Sequence, residues 1–239
     1  MRDQTFHGYW LLTGNVSILS KRLKAQNVYN LEGICLGSSG VKAFYAVDPS
    51  IGSLLYQTGY LTIKAISEYW RAFSLGLPNR EIKIGLLSEL LNLYRDGNIQ
   101  DTTMLTLAIS SALQKKDLPE LMNLLNKLIA PICCEHWKQR AEFLFKATTV
   151  LTFQLVSIYK NSEVHCTDKP PEVHIIVKTD LYIYGIQLVL DQSAKEALQQ
   201  VKDKAYLAPY QGDSRKKINM GIAFSTKDQQ VVEYLTQAQ

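Results

Sequence analysis

The chain of 239 residues reads as an α+β protein, mostly helical over about its first 160 residues and built on an α/β sheet core after them. Three observations lead to this class. Between Asn79 and Leu128, apolar residues recur at helical spacing in three successive blocks. His174–Val177 and Leu181–Leu190 are dense in β-branched and aromatic residues, as strands are. A helical pattern then separates them from another such run, Ile218–Phe224, and this alternation marks a sheet covered by helices.

In chain order, Tyr9 to Gln26 is the first expected helix, with Leu11, Leu12, Val16, Leu19 and Leu23 close to a 3.6 period. Gly37-Ser38-Ser39-Gly40 reads as a loop. Leu54-Leu55-Tyr56 enters a turn at Gln57–Gly59, and Tyr60–Ile63 leaves it as a strand. Phe73–Leu77 is a second strand, stopped by Pro78-Asn79. Asn79 can cap a helix whose apolar face is Ile82, Leu86, Leu87, Leu90, Leu91 and Tyr94. Asp101–Lys115, Leu118–Leu128 and the longer Ala141–Ser157 continue the helical series. In the last part, Lys178-Thr179-Asp180 turns one strand into the next. Ser193 and Glu196 have capping-box spacing, and Ala197, Leu198, Val201 and Ala205 are the expected buried face of the helix that follows. Val231–Leu235 is a short final element.

Composition narrows the function classes. With 46% hydrophobic and 20% charged residues, the chain is ordinary for a globular protein. No apolar run approaches the roughly 18 residues of a membrane span. The opening MRDQTFHGYW lacks a basic stretch followed by an apolar one, so a cytoplasmic address without membrane contact is expected. Cys35, Cys133, Cys134 and Cys166 show no C-x-x-C spacing, which argues against zinc and for buried, reduced thiols. The net charge is +4, yet residues 163–239 carry nine basic against ten acidic residues. A nucleic-acid footprint would concentrate positive charge there.

The segment VKTDLYIYGIQLVLDQSAKEALQQVKDKAYLAPY carries a specific set of letters: Asp191, Ser193, Ala194, Glu196, Ala197, Leu198, Gln199, Gln200, Lys204 and Tyr206, with Gly221 and Phe224-Ser225 in the following strand. This set resembles the PD-(D/E)XK nuclease domain at the C-terminus of bacterial AAA-ATPase-like proteins. Upstream, YWLLTGNVSIL, YNLEG, LLYQTGYLTI and LGLPNREI resemble the end of the ATPase module of the same proteins. The resemblance implies two parts: residues 1–98, a helical and small-sheet remnant of that module, and 99–239, a restriction-endonuclease-like core.

It also implies what is missing. No G-x-x-x-x-G-K-[ST] occurs, so no loop is present to cradle ATP phosphates. In the family, an Asp on one core strand and an acid on the next hold Mg²⁺, which wants anionic oxygen, and a lysine two residues on positions the water. Aligned through Lys178-Thr179-Asp180, the Asp position falls to His174, the acid to Gln187 and the lysine to Val189. Glu142, on the preceding helix, matches an auxiliary acid of some members. The expected vestigial site is therefore His174, Gln187 and Val189 side by side on two paired strands, with Glu142 facing them, and with no cofactor and no ATP. Asp180 and Asp191 read as turn and cap residues, Arg215-Lys216-Lys217 as a solvated loop, and Tyr182 and Tyr184 as packing. The implied function is a catalytically inactive, protein-binding or regulatory module. The alternatives are a divergent Mg²⁺-dependent nuclease using Glu142 and His174, or a non-catalytic DNA-binding protein.

Overall fold

The structure is a computed structural model and describes residues 16–42, 50–68, 71–97, 99–159, 163–167 and 173–238. It is an α+β protein with a largely helical N-terminal part and a sheet in the C-terminal part. The chain divides into two compact units, Met1–Leu90 and Leu91–Gln239.

In the first unit, α1 (Val16–Ala25) is followed by β1 (Ile34–Gly37), α2 (Ser38–Lys42), α3 (Ile51–Gln57), β2 (Thr62–Ser67) and β3 (Ala72–Gly76). The strands form an antiparallel sheet in the order β1-β3-β2, and Leu19, Leu23, Leu36, Leu55 and Leu75 are buried. The expected helix from Tyr9 is described only from Val16, so Leu11 and Leu12 lie outside the described residues. Gly37–Gly40 is not a loop: Gly37 closes β1 and Ser38 opens α2. Leu54-Leu55-Tyr56 belongs to α3, whose cap Ser50 accepts from the Ser53 amide at 3.2 Å. The strand expected from Tyr60 begins at Thr62 instead.

The division between the units falls within α4 (Arg80–Arg95), which Asn79 caps by accepting the Ile82 amide at 2.9 Å. The second unit continues with α5 (Ile99–Lys115), α6 (Leu118–Ile129), α7 (Cys134–Tyr159), β4 (Glu163–Thr167), β5 (Val173–Lys178), β6 (Tyr182–Leu190), α8 (Ala194–Asp203), β7 (Lys216–Ser225) and β8 (Gln230–Ala238). Arg95 is buried and locks three helices together. Its guanidinium donates to the Leu128 and Lys127 carbonyls at 3.2 Å each, and to Thr102 Oγ1 at 2.9 Å. The helix begun at Cys134 is broken at Arg140 (φ −145°, ψ 31°), which is why the regular apolar pattern starts at Ala141.

By composition α7 is long and apolar enough to cross a membrane, which corrects the expectation from apolar runs. Most of it is core: 67% of the apolar window is buried inside the protein. Two of its threonines bond back to the helix, Thr148 donating to the Leu144 carbonyl and Thr152 to the Thr148 carbonyl, both at 2.7 Å.

The five-stranded sheet runs β4-β5-β6-β7-β8. Only β6 and β7 are parallel, joined by the α8 crossover, and every other neighbour is antiparallel. Side chains alternate between faces. One face meets α8, since Val189 and Ala223 pack with Ala194 and Ala197. The other meets α5 and α7. There the Tyr184 hydroxyl donates to the Leu113 carbonyl at 2.7 Å, and Phe145 packs on Phe224 with ring centroids 4.7 Å apart. Layer spacing is tight at Gly221, where a Cβ would stand 2.3 Å from the Ala194 carbonyl oxygen and 2.5 Å from the Leu198 nitrogen.

Candidate functional site

The sequence-derived site residues lie at one end of β5 and β6. His174 and Gln187 are direct cross-strand partners. Val189, two residues on from Gln187, shares their face and is 1% exposed, packed among Ala194, Ala197 and Ala223. These three come together as expected. Glu142 does not join them. It sits on α7, which covers the opposite face through Phe145, and its carboxylate is largely exposed, bonded at 2.6 Å to Lys146 one helical turn on.

Tyr206 closes the site. Its ring stacks on His174 with centroids 3.4 Å apart and planes 14° apart, and its hydroxyl donates to Gln187 Oε1 at 3.3 Å. It stands just beyond α8, after Ala205, which is exposed and takes a left-handed φ of 48°. That turn carries Ala205 off the expected apolar face and swings Tyr206 back over the strands. Gln187 is fully buried, and its Nε2, the His174 Nε2 and the Asn219 Oδ1 have no hydrogen-bond partner in the protein.

Burial, and then the positive charge of Lys204, holds the His174 imidazole down to about 4 from its ordinary 6.5. At neutral pH the site is thus uncharged: an imidazole, a carboxamide and an isopropyl group. These residues do not fit a hard cation. Mg²⁺ takes anionic oxygen, and the nearest retained acid of the set lies across the sheet.

This shift has a sign that can be measured. Folding selects the neutral imidazole, so its contribution is complete above pH 6.5 and is lost as pH falls from there towards 4. After discounting for partial exposure, the loss is about 2 kcal/mol. Urea midpoints at pH 7.5 and 4.5 should separate the natural protein from His174→Phe, which keeps the stack and cannot titrate. Equal pH dependence in the two proteins would contradict the assignment.

The remaining candidates take structural parts. Asp191 (φ 55°) staples the strand ends, accepting from the Thr226 amide at 2.8 Å and the Thr226 hydroxyl at 2.7 Å. Ser193 and Glu196 form the expected capping box. Asp180 lies exposed in the β5–β6 turn. Arg215 is an internal strut, bonded to Asp213 at 2.6 and 2.9 Å and to the Thr179 carbonyl at 3.1 Å, and it holds the Asp213 carboxyl well below the usual range. Lys216 and Lys217 open β7 rather than lying in a solvated loop; Lys217 Nζ donates to the Asp213 carbonyl, and Lys216 is exposed. Tyr184 is wholly buried, and Tyr182 packs against it at 5.8 Å.

The thiols overturn an expectation. Cys35, Cys133 and Cys134 are exposed; in β1 the buried position is Leu36, and around the start of α7 Ile132 and Trp137 take the buried positions. Cys166 lies in β4, where side chains are outside the described residues. Among the described residues, no three His, Cys, Asp or Glu groups converge to hold a metal. Sequence reasoning also missed Asn219. Its signal was a single amide within the apolar run Ile218–Phe224.

No family model matches the chain, and no solved structure matches it. It is 24% identical over 245 residues to a protein of Azotobacter chroococcum mcd 1 described as "Uncharacterized protein in vnfD 5'region". The match covers 99% of this chain and 47% of that protein, so the chain spans about half the length of the relative.

Proposed function

We propose that this chain is a catalytically inactive relative of the PD-(D/E)XK nucleases, acting in the cytoplasm as a protein-binding or regulatory module, with residues 1–98 descended from the end of an ATPase module. The observation that carries the reading is the direct pairing of His174 with Gln187, where the family would place two carboxylates. The element order of the second unit supports it: a helix, three antiparallel strands, a crossover helix and a parallel strand. So does the Tyr206-covered state of the site, in which, among the described residues, no carboxylate stands beside His174 and Gln187 to bind Mg²⁺. DNA binding is less favoured, because Arg215 is tied to Asp213 and the Thr179 carbonyl, and Lys217 to the Asp213 carbonyl.

The test is direct. Pure protein with Mg²⁺ or Mn²⁺ should leave single- and double-stranded DNA intact over hours. Metal-dependent cleavage that disappears in His174→Ala or Glu142→Ala would overturn the proposal and favour the divergent nuclease.

A further inference from the structure

We infer that β8 is a self-association edge, through which two copies of this chain join their sheets antiparallel about a two-fold axis. β8 is the last strand of the sheet and is bonded along its inner side to β7 from Gln230 to Ala238. Among the described residues, its only backbone bond to anything but β7 is Val231 N–H to Asn126 Oδ1 at 2.7 Å, near its start. A free strand edge is a template for another strand, and proteins usually blunt it with lysine, proline or a bulge. β8 has neither lysine nor proline. Its one bulge, at Val232, lies near the start, so Glu233–Ala238 is regular and open.

The side chains favour a second copy as occupant. Val232 is 54% and Leu235 37% exposed, large apolar groups on a strand that solvent would not select. The only charge in the strand, Glu233, is exposed but held to the start of α8, accepting the Ala194 amide at 3.0 Å. A two-fold axis perpendicular to the sheet pairs residues of the same face. Placed at Leu235, it sets Leu235 against itself, Tyr234 against Thr236 and Glu233 against the Gln237 amide. No like charges meet, and each exposed leucine is covered by its copy. The contact is short, so association in the micromolar range is expected.

Sedimentation equilibrium of the full chain tests this, over about 1–100 µM, where an interface of modest area associates. The expected mass rises towards twice the 27.0 kDa of the chain. Leu235→Lys, which places two ammonium groups on the axis, should return it to one, while Ile66→Lys, at an exposed site in the first unit, should not. A natural protein that stays monomeric, forms species larger than a dimer, or dimerises equally well as Leu235→Lys would overturn the inference. If Leu235→Lys fails to fold, hydrogen exchange of the natural protein decides. Amides of Glu233–Ala238 should gain protection with concentration, and concentration-independent exchange would refute the shared edge.

Discussion

Replacing His174, Gln187 and Val189 together by Asp, Glu and Lys should destabilise the metal-free protein by about 1–3 kcal/mol, the usual range for buried charge and polar mismatch. Gln187 and Val189 are buried, and a cross-strand partner at 174 would carry like charge against 187. Gln187→Glu alone keeps an acceptor for the Tyr206 hydroxyl, so most of the loss should come from repulsion and from desolvating a lysine among Ala194, Ala197 and Ala223. Millimolar Mn²⁺ should recover part of that loss in the triple variant by binding its native state, and should hardly move the natural sequence. Melting curves of both proteins, with and without metal, decide the matter. An equal metal-induced rise in the natural protein would mean that its site still holds a cation.

The second large effect is expected at Gly221. Here the obstacle to a side chain is backbone, the Ala194 carbonyl and the Leu198 amide, which cannot rotate aside as a flexible side chain could. Gly221→Ala should therefore cost about 3 kcal/mol or more, at the upper end of overpacking effects. Gly212→Ala is the matched control. Nothing lies within 4 Å of its added Cβ, and its effect should stay within about 0.5 kcal/mol. If urea titrations show Gly221→Ala as mild as the control, α8 does not rest on the sheet as described.

How far the sequence foretold this arrangement depended on how local each signal was. The faces of α4 and α6 were legible because Leu86, Leu87, Leu90 and Leu91, then Leu121, Leu124, Leu125 and Leu128, are all buried at helical spacing. The capping box of α8 was legible because its two hydrogen bonds join residues three apart. β4 was not foreseen, since its short run EVHCT is weakly apolar and is defined by pairing with β5. A Gly-Ser-Ser-Gly stretch favours turns by propensity, yet tertiary context draws it into β1 and α2. In the candidate site, strand alternation placed Gln187 and Val189 on one face, and the alignment set His174 beside them. The helix face of Glu142 could not be read that way. Nor could the closure by Tyr206, which joins residues 32 apart through a left-handed turn at Ala205.

The bonds around Arg95 also set an order in time. That side chain draws α4, α5 and α6 together across separations of 7, 32 and 33 residues. The bonds that attach the start of β8 to α6 and the turn after it span 97 to 105. Shorter loops cost less entropy to close, and local contacts form faster than distant ones. The helical layer can therefore close before the β7–β8 hairpin, whose own pairing is local, is fastened to it. The strand most open to a second chain is thus fastened to the helical layer by bonds that close long loops.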